Sequence, residues 1–315
     1  YLFGHGENSI YQIDRELRLL QDEGVGEKAS IVPIIGDLKD ADYMDYIIEK
    51  TRVDVIFHAA AYKHVPMTEE NPVAAIENNF FGTINLVNAA KKNHVKRLVL
   101  ITTDKAVEPV SIYGVSKKLC EEVVLDSNGG DTNFMVVRFG NVLGSRGSIV
   151  PLFRQQILKG GPVTVTSPEM RRYFMTIPEA CSLVLKAGGV GKNGKLYLLD
   201  MGEPIRISDM AEQMIRFYGF EPNVDIQINY IGLRPGERVD ESLWAEDERP
   251  MPTEYKRILH VERTCTKKID LKELTDKLKP ICFYDNAEKE KFRDSVLLRK
   301  VLKEIIPSLI VKDAA

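Results

Sequence analysis

The chain has 315 residues, of which 44% are hydrophobic and 28% are charged, and its formal net charge is -3. This composition is typical of a globular protein that buries a sizeable core in one large domain or two smaller ones. Because acidic and basic residues are interspersed, the charge pattern excludes nucleic acid as an expected partner. No apolar run approaches the ~20 residues that cross a bilayer. We therefore expect a cytoplasmic protein, or the cytoplasmic part of a longer membrane-attached one.

The four cysteines are widely scattered, and none of them lies in a C-x-x-C pair. This spacing predicts reduced thiols rather than disulfides or zinc ligands. The four are Cys120, Cys181, Cys265 and Cys282.

Up to about residue 150, short apolar runs alternate with amphipathic stretches. The strand-like runs are SIVPIIGDL (30–38), VDVIFHAAA (53–61), KRLVLITTD (96–104) and NFMVVRFGNVL (133–143). A long helical stretch at 72–95 lies between two of them. This alternation predicts parallel βαβ units, and continuous apolar runs are typical of strands buried on both faces. We predict a Rossmann-like, doubly wound parallel sheet in residues 1–150.

Beyond residue 150 the pattern changes. Helices are predicted at 148–160 and 176–189, and short strands at 162–167, 195–201 and 225–233, between glycines and prolines. We expect residues 151–262 to form mainly a smaller α/β lobe that binds the substrate. Residues 263–315 are predicted to form a helical tail, with helices at 269–278 and 290–306.

The beginning of the chain lacks one expected feature of this fold. A doubly wound nucleotide-binding sheet opens with a strand and a glycine-rich turn, whose N–H groups hold the pyrophosphate. Here Gly4 and Gly6 follow the strand-like YLF without G-x-G-x-x-G spacing. We place Gly4 and His5 after the second strand of the fold, where the adenosine ribose is read. The chain is then either the remainder of a longer protein, which the intact downstream pattern favours, or a relative that no longer binds a cofactor.

The stretch ITTDKAVEPVSIYGVSK (101–117) concentrates reactive side chains. Tyr113 and Lys117 stand at i, i+4 spacing on one helical face, where the ammonium can lower the pKa of the phenol and make it a usable base. Thr103, at the end of the preceding strand, could hydrogen-bond the same substrate hydroxyl. The Tyr-Lys spacing alone occurs by chance in many helices, but its combination with a strand ending in Thr-Asp-Lys is more specific.

These stretches resemble the extended short-chain dehydrogenase/reductase family, and within it the nucleotide-sugar 4,6-dehydratases of the capsule and flagellin-glycosylation type. The resemblance extends to about residue 260. Its pieces are ENSIYQIDREL, GDLKD, FHAAAYKHVPMTEENP, TTDKAVEPVSIYGVSK, VRFGNVLGSRGSIVPLF, RRYFMTIPEA, LDMGEPIRISDMA and GLRPGE. It implies oxidation at sugar carbon 4 by bound NAD(P)+, loss of water across carbons 5 and 6, and return of the hydride to carbon 6.

The resemblance implies a catalytic role for each residue of the central stretch. Tyr113 would be the base at the carbon 4 hydroxyl, Lys117 its electrostatic partner and a ribose ligand, and Thr103 an orienting residue. Asp104 would be the acid for the leaving hydroxyl, and Lys105 the base at carbon 5. An Asp-Lys pair resembles the group that handles UDP-N-acetylglucosamine. Many longer members have methionine where Tyr113 stands, which leaves the carbon 5 configuration of the product open.

The family resemblance also implies which residues bind the cofactor. Asp37 resembles the adenine-binding aspartate of the family, with a helix N-cap as the alternative reading. Ala59, Ala60 and Ala61 resemble the turn that lies against the dinucleotide. No carboxylate follows Gly4, where one would grip a ribose 2′-hydroxyl, and this favours NADP over NAD.

The expected substrate contacts are Lys63, His64, Asn141, Arg146, Arg234 and Glu237. The arginine fork suits a diphosphate, and the alternative for each arginine is a surface ion pair. The histidine has no second ligand at metal spacing, so no metal is expected.

Three functions remain open. The first is a UDP-N-acetylglucosamine 4,6-dehydratase. The second is a nucleotide-sugar 4-epimerase, which needs the same tyrosine and cofactor but no elimination, and the third is a non-catalytic or truncated homologue. The Thr-Asp-Lys triplet favours the first, because an epimerase has no use for an acid and base pair there. The resemblance also implies a UDP-sugar partner and a homo-oligomer.

Overall fold

The computed structural model describes residues 1–264 and 269–310. In chain order its strands and α-helices are β1 (Leu2–Gly4), α1 (Glu7–Asp22), β2 (Pro33–Ile35), α2 (Ala41–Thr51), β3 (Val55–His58), α3 (Val65–Glu70), α4 (Pro72–Ile76), α5 (Gly82–Lys92), β4 (Arg97–Thr103), α6 (Ile112–Asp126), β5 (Asn133–Phe139), β6 (Asn141–Val142), α7 (Ile149–Leu158), β7 (Val163–Val165), β8 (Arg171–Arg172), β9 (Phe174–Met175), α8 (Ile177–Val190), β10 (Lys195–Leu199), β11 (Ile205–Arg206), α9 (Ile207–Phe217), β12 (Ile228–Tyr230), β13 (Glu248–Pro252), β14 (Ile258–Arg263), α10 (Leu271–Cys282) and α11 (Ser295–Ile305).

The central sheet has six strands in the order β13-β14-β10-β5-β4-β3. Strands β3, β4, β5 and β10 are parallel to one another, which confirms the predicted Rossmann-like α/β fold. At one edge of the sheet β14 runs antiparallel to β10, and β13 runs antiparallel to β14. The short connection from Pro252 to Ile258 makes β13 and β14 an antiparallel hairpin. Pro250 and Pro252 in β13 suit an edge strand, since proline cannot donate to a neighbour.

Strands β1 and β2 form a separate parallel pair, with Leu2 opposite Pro33 and Gly4 opposite Ile35. Within residues 1–264 and 269–310, neither strand is hydrogen-bonded to the central sheet, which ends at β3. Helix α1 packs against both strands of the pair.

The described residues form two hydrophobic cores. The larger one surrounds the central sheet and includes Leu98, Phe134 and Val136. The smaller one lies between α7, α9, β7 and β12 and includes Phe153 and Ile215. Residues beyond 150 contribute to both cores, because α8 packs on the central sheet and β10 and β14 are strands of it. The predicted boundaries at 150 and 262 stay a prediction.

Several predicted helices differ from the structure at their ends. The stretch at 72–95 is interrupted by a π-helical turn, Glu77–Phe81, between α4 and α5. Helix α11 begins at Ser295 rather than at 290, because the Asp294 carboxylate accepts the N–H groups of Val296 and Leu297 and caps the helix there.

Three cysteines can be placed in the fold. Cys120 and Cys282 are buried, Cys181 is exposed, and all three are free thiols; Cys265 lies outside the described residues. None of the helices in 1–264 and 269–310 combines the length and the apolar character that a bilayer crossing requires.

Candidate active site

The junction between β4 and α6 brings the central predicted residues together. A single 3-10 turn, Asp104–Ala106, follows β4, and Ser111 caps α6 by accepting the N–H of Gly114. A Cβ atom at Gly114 would lie 2.3 Å from the carbonyl oxygen of Lys105. Only glycine therefore lets the first turn of α6 pack this closely against the turn that carries Asp104 and Lys105.

Asp104 is fully buried beneath this junction. The Thr103 hydroxyl donates to its Oδ1 at 2.8 Å, and the Lys105 ammonium donates to the same oxygen at 3.0 Å. The second oxygen, Oδ2, is buried without a hydrogen-bond partner among the described residues, close to Gly140. An orphaned buried oxygen of this kind is costly unless a ligand or solvent satisfies it.

Lys105 reaches across to two other parts of the fold. Its Nζ lies 3.4 Å from Asn141 Oδ1, on β6, and 3.8 Å from Glu241 Oε1, in the loop after β12. Its side chain is 20% exposed. The structure thus joins Asn141, a predicted substrate contact, to the Asp104–Lys105 pair.

Tyr113 and Lys117 are both buried on α6, one turn apart. The Lys117 ammonium donates to the carbonyl oxygen of Ile101 at 2.8 Å, and burial lowers its pKa. Burial and the charge of Asp104 raise the pKa of Tyr113, although a hydrogen bond with Thr103 opposes this. The expected lowering of the phenol pKa by Lys117 is therefore wrong for the protein without ligands. The local reason is that burial and the nearby carboxylate disfavour a phenolate.

Apart from Tyr113 and Lys117 on α6, the predicted cofactor residues lie at the carboxyl ends of β1, β2 and β3. His5, next to Gly4, contacts the ring of Tyr62 edge-on, with ring centroids 6.3 Å apart. Ala59 and Ala60 are exposed directly after β3, and Ala61 is half-buried. Open α/β sheets bind nucleotides at the carboxyl ends of their strands, and the small exposed residues Ala59 and Ala60 at this edge suit a cofactor that packs against the backbone.

Asp37 lies at the same edge, after β2. Its carboxylate accepts the N–H of Lys39 at 2.9 Å. The alternative reading of Asp37 as a helix N-cap is wrong, because Asp40 caps α2 by accepting the N–H of Tyr43.

A buried polar network supports the alanine turn from behind. His58 Nε2 lies 2.9 Å from Thr83 Oγ1, and burial, with the Lys117 charge, lowers the pKa of His58 to about 3. Asn79 accepts the N–H of Tyr62 and donates to its carbonyl oxygen. These groups fix the turn that follows β3 with a neutral imidazole beneath it.

Lys63 and His64 are exposed at the start of α3. A Cβ atom at Gly147 would lie 2.6 Å from the His64 ring, so the loop at 143–148 crosses directly over this histidine. The Arg146 guanidinium in that loop donates to Ser9 Oγ at 3.1 Å and to the side chain of Gln12, both on α1. The structure therefore holds Arg146 on α1 and does not bring it to the Asp104 carboxylate.

Arg234 and Glu237 lie in the loop that approaches the start of α6. Arg234 is exposed, and its backbone N–H donates to Glu237 Oε2 at 3.1 Å. A Cβ atom at Gly236 would lie 2.9 Å from Ser111 Cβ, which shows how closely the loop packs on the N-cap of α6. Their roles in binding a nucleotide sugar stay predictions.

Sequence analysis missed two charged residues at the site whose side chains are buried, Arg172 and Glu241. Both lie in stretches rich in charged residues, where exposed side chains are the usual expectation. Their burial depends on loops that meet only in the folded chain. Among the residues that the structure describes, no three His, Cys, Asp or Glu side chains are grouped so that they could hold a metal ion.

Comparisons with known proteins agree with this architecture. A family model described as polysaccharide biosynthesis protein matches residues 1–263. The capsular polysaccharide biosynthesis protein CapD of Staphylococcus aureus is 46% identical over 259 residues, which are 82% of this chain and 42% of CapD. A UDP-glucose 4-epimerase of Rickettsia canadensis is 36% identical over 218 residues, 68% of this chain and 62% of the epimerase.

Among solved structures, that of Pen from Bacillus thuringiensis matches with a TM-score of 0.71 and 32% identity, covering 84% of this chain and 81% of Pen. The chain spans less than half the length of CapD, the curated relative with the highest of these identities.

Proposed function

The chain belongs to the polysaccharide biosynthesis protein family, and from this premise we propose that it is a nucleotide-sugar 4,6-dehydratase that acts on UDP-N-acetylglucosamine. The observation that carries the proposal is the contact between the Asp104 carboxylate and the Lys105 ammonium, 3.0 Å apart, beside the buried phenol of Tyr113. A carboxylic acid and an amine in contact supply the acid and the base that an elimination needs.

Each of these residues has a defined task in the proposed reaction. A bound nicotinamide would accept hydride from sugar carbon 4 and return it to carbon 6. Tyr113 would take the proton of the carbon 4 hydroxyl. The ketone so formed acidifies the proton on carbon 5, which the uncharged Lys105 amine would accept while protonated Asp104 gives its proton to the leaving carbon 6 hydroxyl.

The elimination step would yield water and a 4-keto sugar with a double bond between carbons 5 and 6, and it would leave Lys105 as an ammonium and Asp104 as a carboxylate. One proton transfer across the 3.0 Å contact from Lys105 to Asp104 would restore both groups. When hydride is returned to carbon 6, carbon 5 would take its new proton from solvent, and Tyr113 would release to solvent the proton that it took from the carbon 4 hydroxyl.

The cofactor would lie along the carboxyl ends of β1, β2 and β3. The residues that would hold it are Gly4, His5, Asp37, Ala59, Ala60, Ala61, Tyr113 and Lys117. The exposed imidazole of His5 in place of a carboxylate supports NADP over NAD. Fluorescence titration of the protein with each dinucleotide tests this preference.

The test of the reaction is incubation with UDP-N-acetylglucosamine, followed by proton NMR. We expect a 4-keto-6-deoxy product whose carbon 5 proton has exchanged with solvent, and its couplings give the carbon 5 configuration. Lys105→Ala should abolish that exchange, and Asp104→Asn should abolish water loss. Lys159→Ala, an exposed lysine on the other lobe, is the control. Parental exchange in Lys105→Ala would remove the proposed role of Lys105.

A second candidate is a nucleotide-sugar 4-epimerase. It is favoured by the identity of 36% to the UDP-glucose 4-epimerase of Rickettsia canadensis. In the same NMR experiment an epimerase would yield the carbon 4 epimer with its carbon 6 hydroxyl intact and no exchange at carbon 5. That outcome would replace the dehydratase proposal.

We extend the proposal to the compartment, the assembly and the use of the product. We place the reaction in the cytoplasm, in a homo-oligomer, with the product used for surface polysaccharide or protein glycosylation. Residues 1–150 would bind mainly the dinucleotide and residues 151–262 mainly the UDP-sugar.

A further inference from the structure

Glu241 is a buried carboxylate that no role described so far explains. It lies in the loop between β12 and β13, and its side chain is only 6% exposed. Its Oε1 is 3.8 Å from the Lys105 ammonium and 3.8 Å from a guanidinium nitrogen of Arg172. The carboxylate therefore stands between a candidate catalytic amine and a second buried cation.

The loop that carries Glu241 is fixed from two sides. From β8, the Arg172 guanidinium donates to the carbonyl oxygens of Val239 at 2.8 Å and Arg238 at 2.7 Å. In turn, Arg238 donates to the carbonyl oxygens of Val107 and Glu108, just after the turn that holds Asp104 and Lys105. These bonds tie residues 238–241 to β8 and to the turn after β4, so that Glu241 has little freedom to leave the amine.

Charges of both signs surround Glu241. Its carboxylate and that of Asp104 lie near the cations Lys105, Arg172 and Arg238. Burial raises the pKa of Glu241, as does the charge of Asp104, while the three cations oppose the rise. Removing one member of a buried set of opposite charges leaves the others less well compensated.

The lysine needs such a partner to be held in place. A lysine amine lies at the end of a flexible four-carbon stem and is poorly fixed by one hydrogen bond. Here three oxygens from three separate elements surround it, those of Asp104, Asn141 and Glu241.

We propose that Glu241 is a positioning residue for Lys105, which holds the amine beside Asp104 and balances its charge during the elimination. The role rests on the proposed dehydratase function. The contact distances support this role. Through Glu241, the loop after β12 would fix the position of the Lys105 amine.

The first experiment measures Lys105 itself and needs no turnover. The protein is acetylated with acetic anhydride at pH 7.5, and mass spectrometry gives the modification of Lys105 relative to exposed Lys159. In Glu241→Gln we expect relative labelling of Lys105 to rise about tenfold, the factor that corresponds to about 1.4 kcal/mol of lost ion-pair energy. The matched control is Asp240→Asn, because Asp240 is the neighbouring carboxylate, half exposed and paired with Arg171.

The second experiment measures turnover of the UDP-sugar. Glu241→Gln should lower kcat about 10- to 100-fold with KM changed less than about threefold, since displacement of a catalytic group by about 1 Å costs that much. Glu241→Asp, which keeps the charge but shortens the side chain, should fall between the parent and Glu241→Gln in both experiments. It also keeps the test decisive if Glu241→Gln does not fold.

The outcomes separate this inference from the proposed function. Parental labelling of Lys105 in Glu241→Gln or Glu241→Asp, or an equal rise in Asp240→Asn, would overturn the positioning role. A lower melting temperature with parental relative labelling would make Glu241 merely structural. If the parent forms no 4-keto-6-deoxy product, the dehydratase proposal fails, and the labelling result still decides whether Glu241 holds Lys105.

Discussion

Arg138 is the side chain whose removal we expect to destabilise the protein most. It lies on β5 and is fully buried between two glutamates. Its guanidinium donates to both carboxylate oxygens of Glu121 on α6, at 3.1 and 2.7 Å, and to both of Glu248 on β13, at 2.5 and 3.1 Å. A further bond reaches the carbonyl oxygen of Leu243 at 3.2 Å. One arginine on β5 thus joins α6 to β13, at the antiparallel edge of the central sheet.

The expected cost follows from what the substitution leaves behind. Methionine is close to arginine in length, but Arg138→Met leaves the carboxylates of Glu121 and Glu248 buried without their nearest cation. The remaining cations are farther away: Arg263 Nε lies 3.4 Å and Lys118 Nζ 4.0 Å from Glu248. Breaking a buried ion pair from one side costs about 3–5 kcal/mol. We therefore expect Arg138→Met to lower the free energy of unfolding by about 4 kcal/mol, a large share of the 5–15 kcal/mol typical of a folded protein.

Urea denaturation followed by circular dichroism measures this loss. The informative comparison is a triple variant that also carries Glu121→Gln and Glu248→Gln, which removes the uncompensated charges. It should recover about half or more of the loss, because neutral replacement of a buried ionic cluster is often tolerated. A loss below about 1 kcal/mol in Arg138→Met, or a triple variant less stable than the single one, would refute the reasoning.

Three further perturbations test other parts of the fold. Burial raises the pKa of Glu248, but Arg138 outweighs this and holds the pKa at about 2, against an ordinary 4.5. Because Glu248 is protonated at a higher pH in the unfolded chain than in the folded one, the free energy of unfolding should fall by about 3 kcal/mol between pH 4.5 and pH 2. The urea midpoint should fall over the same range. Arg299→Met leaves Glu69 without the partner it meets at 2.8 Å and should cost about 1–3 kcal/mol in the same assay; an unchanged midpoint would contradict this. Gly114→Ala places a Cβ 2.3 Å from a carbonyl oxygen and should reduce product formation at least about 100-fold, whereas Gly130→Ala, which meets nothing within 4 Å, should not.

Local sequence patterns were enough to predict the alternation of strands and helices, the candidate catalytic stretch at 101–117 and the family. The apolar runs at 96–104 and 133–143 could be assigned because strands buried on both faces read as continuous apolar segments. Tyr113 and Lys117 could be placed together because helical spacing alone puts them one turn apart. Each of these inferences depends on residues close in the chain, where backbone geometry fixes the relation.

The pairing of strands and side chains that are far apart in the sequence could be seen only in the folded chain. The antiparallel hairpin of β13 and β14, the contact of Glu241 with Lys105 and the direction of the Lys117 ammonium all join or depend on segments that local patterns do not relate. Arg138 illustrates the reason: on a strand pattern it reads as an interruption of an apolar run, and its burial becomes favourable only when Glu121 and Glu248 arrive from two other elements. Hydrophobic periodicity predicts which side chains are buried. The ion-pair partner of a buried charge depends on how elements distant in the chain pack together.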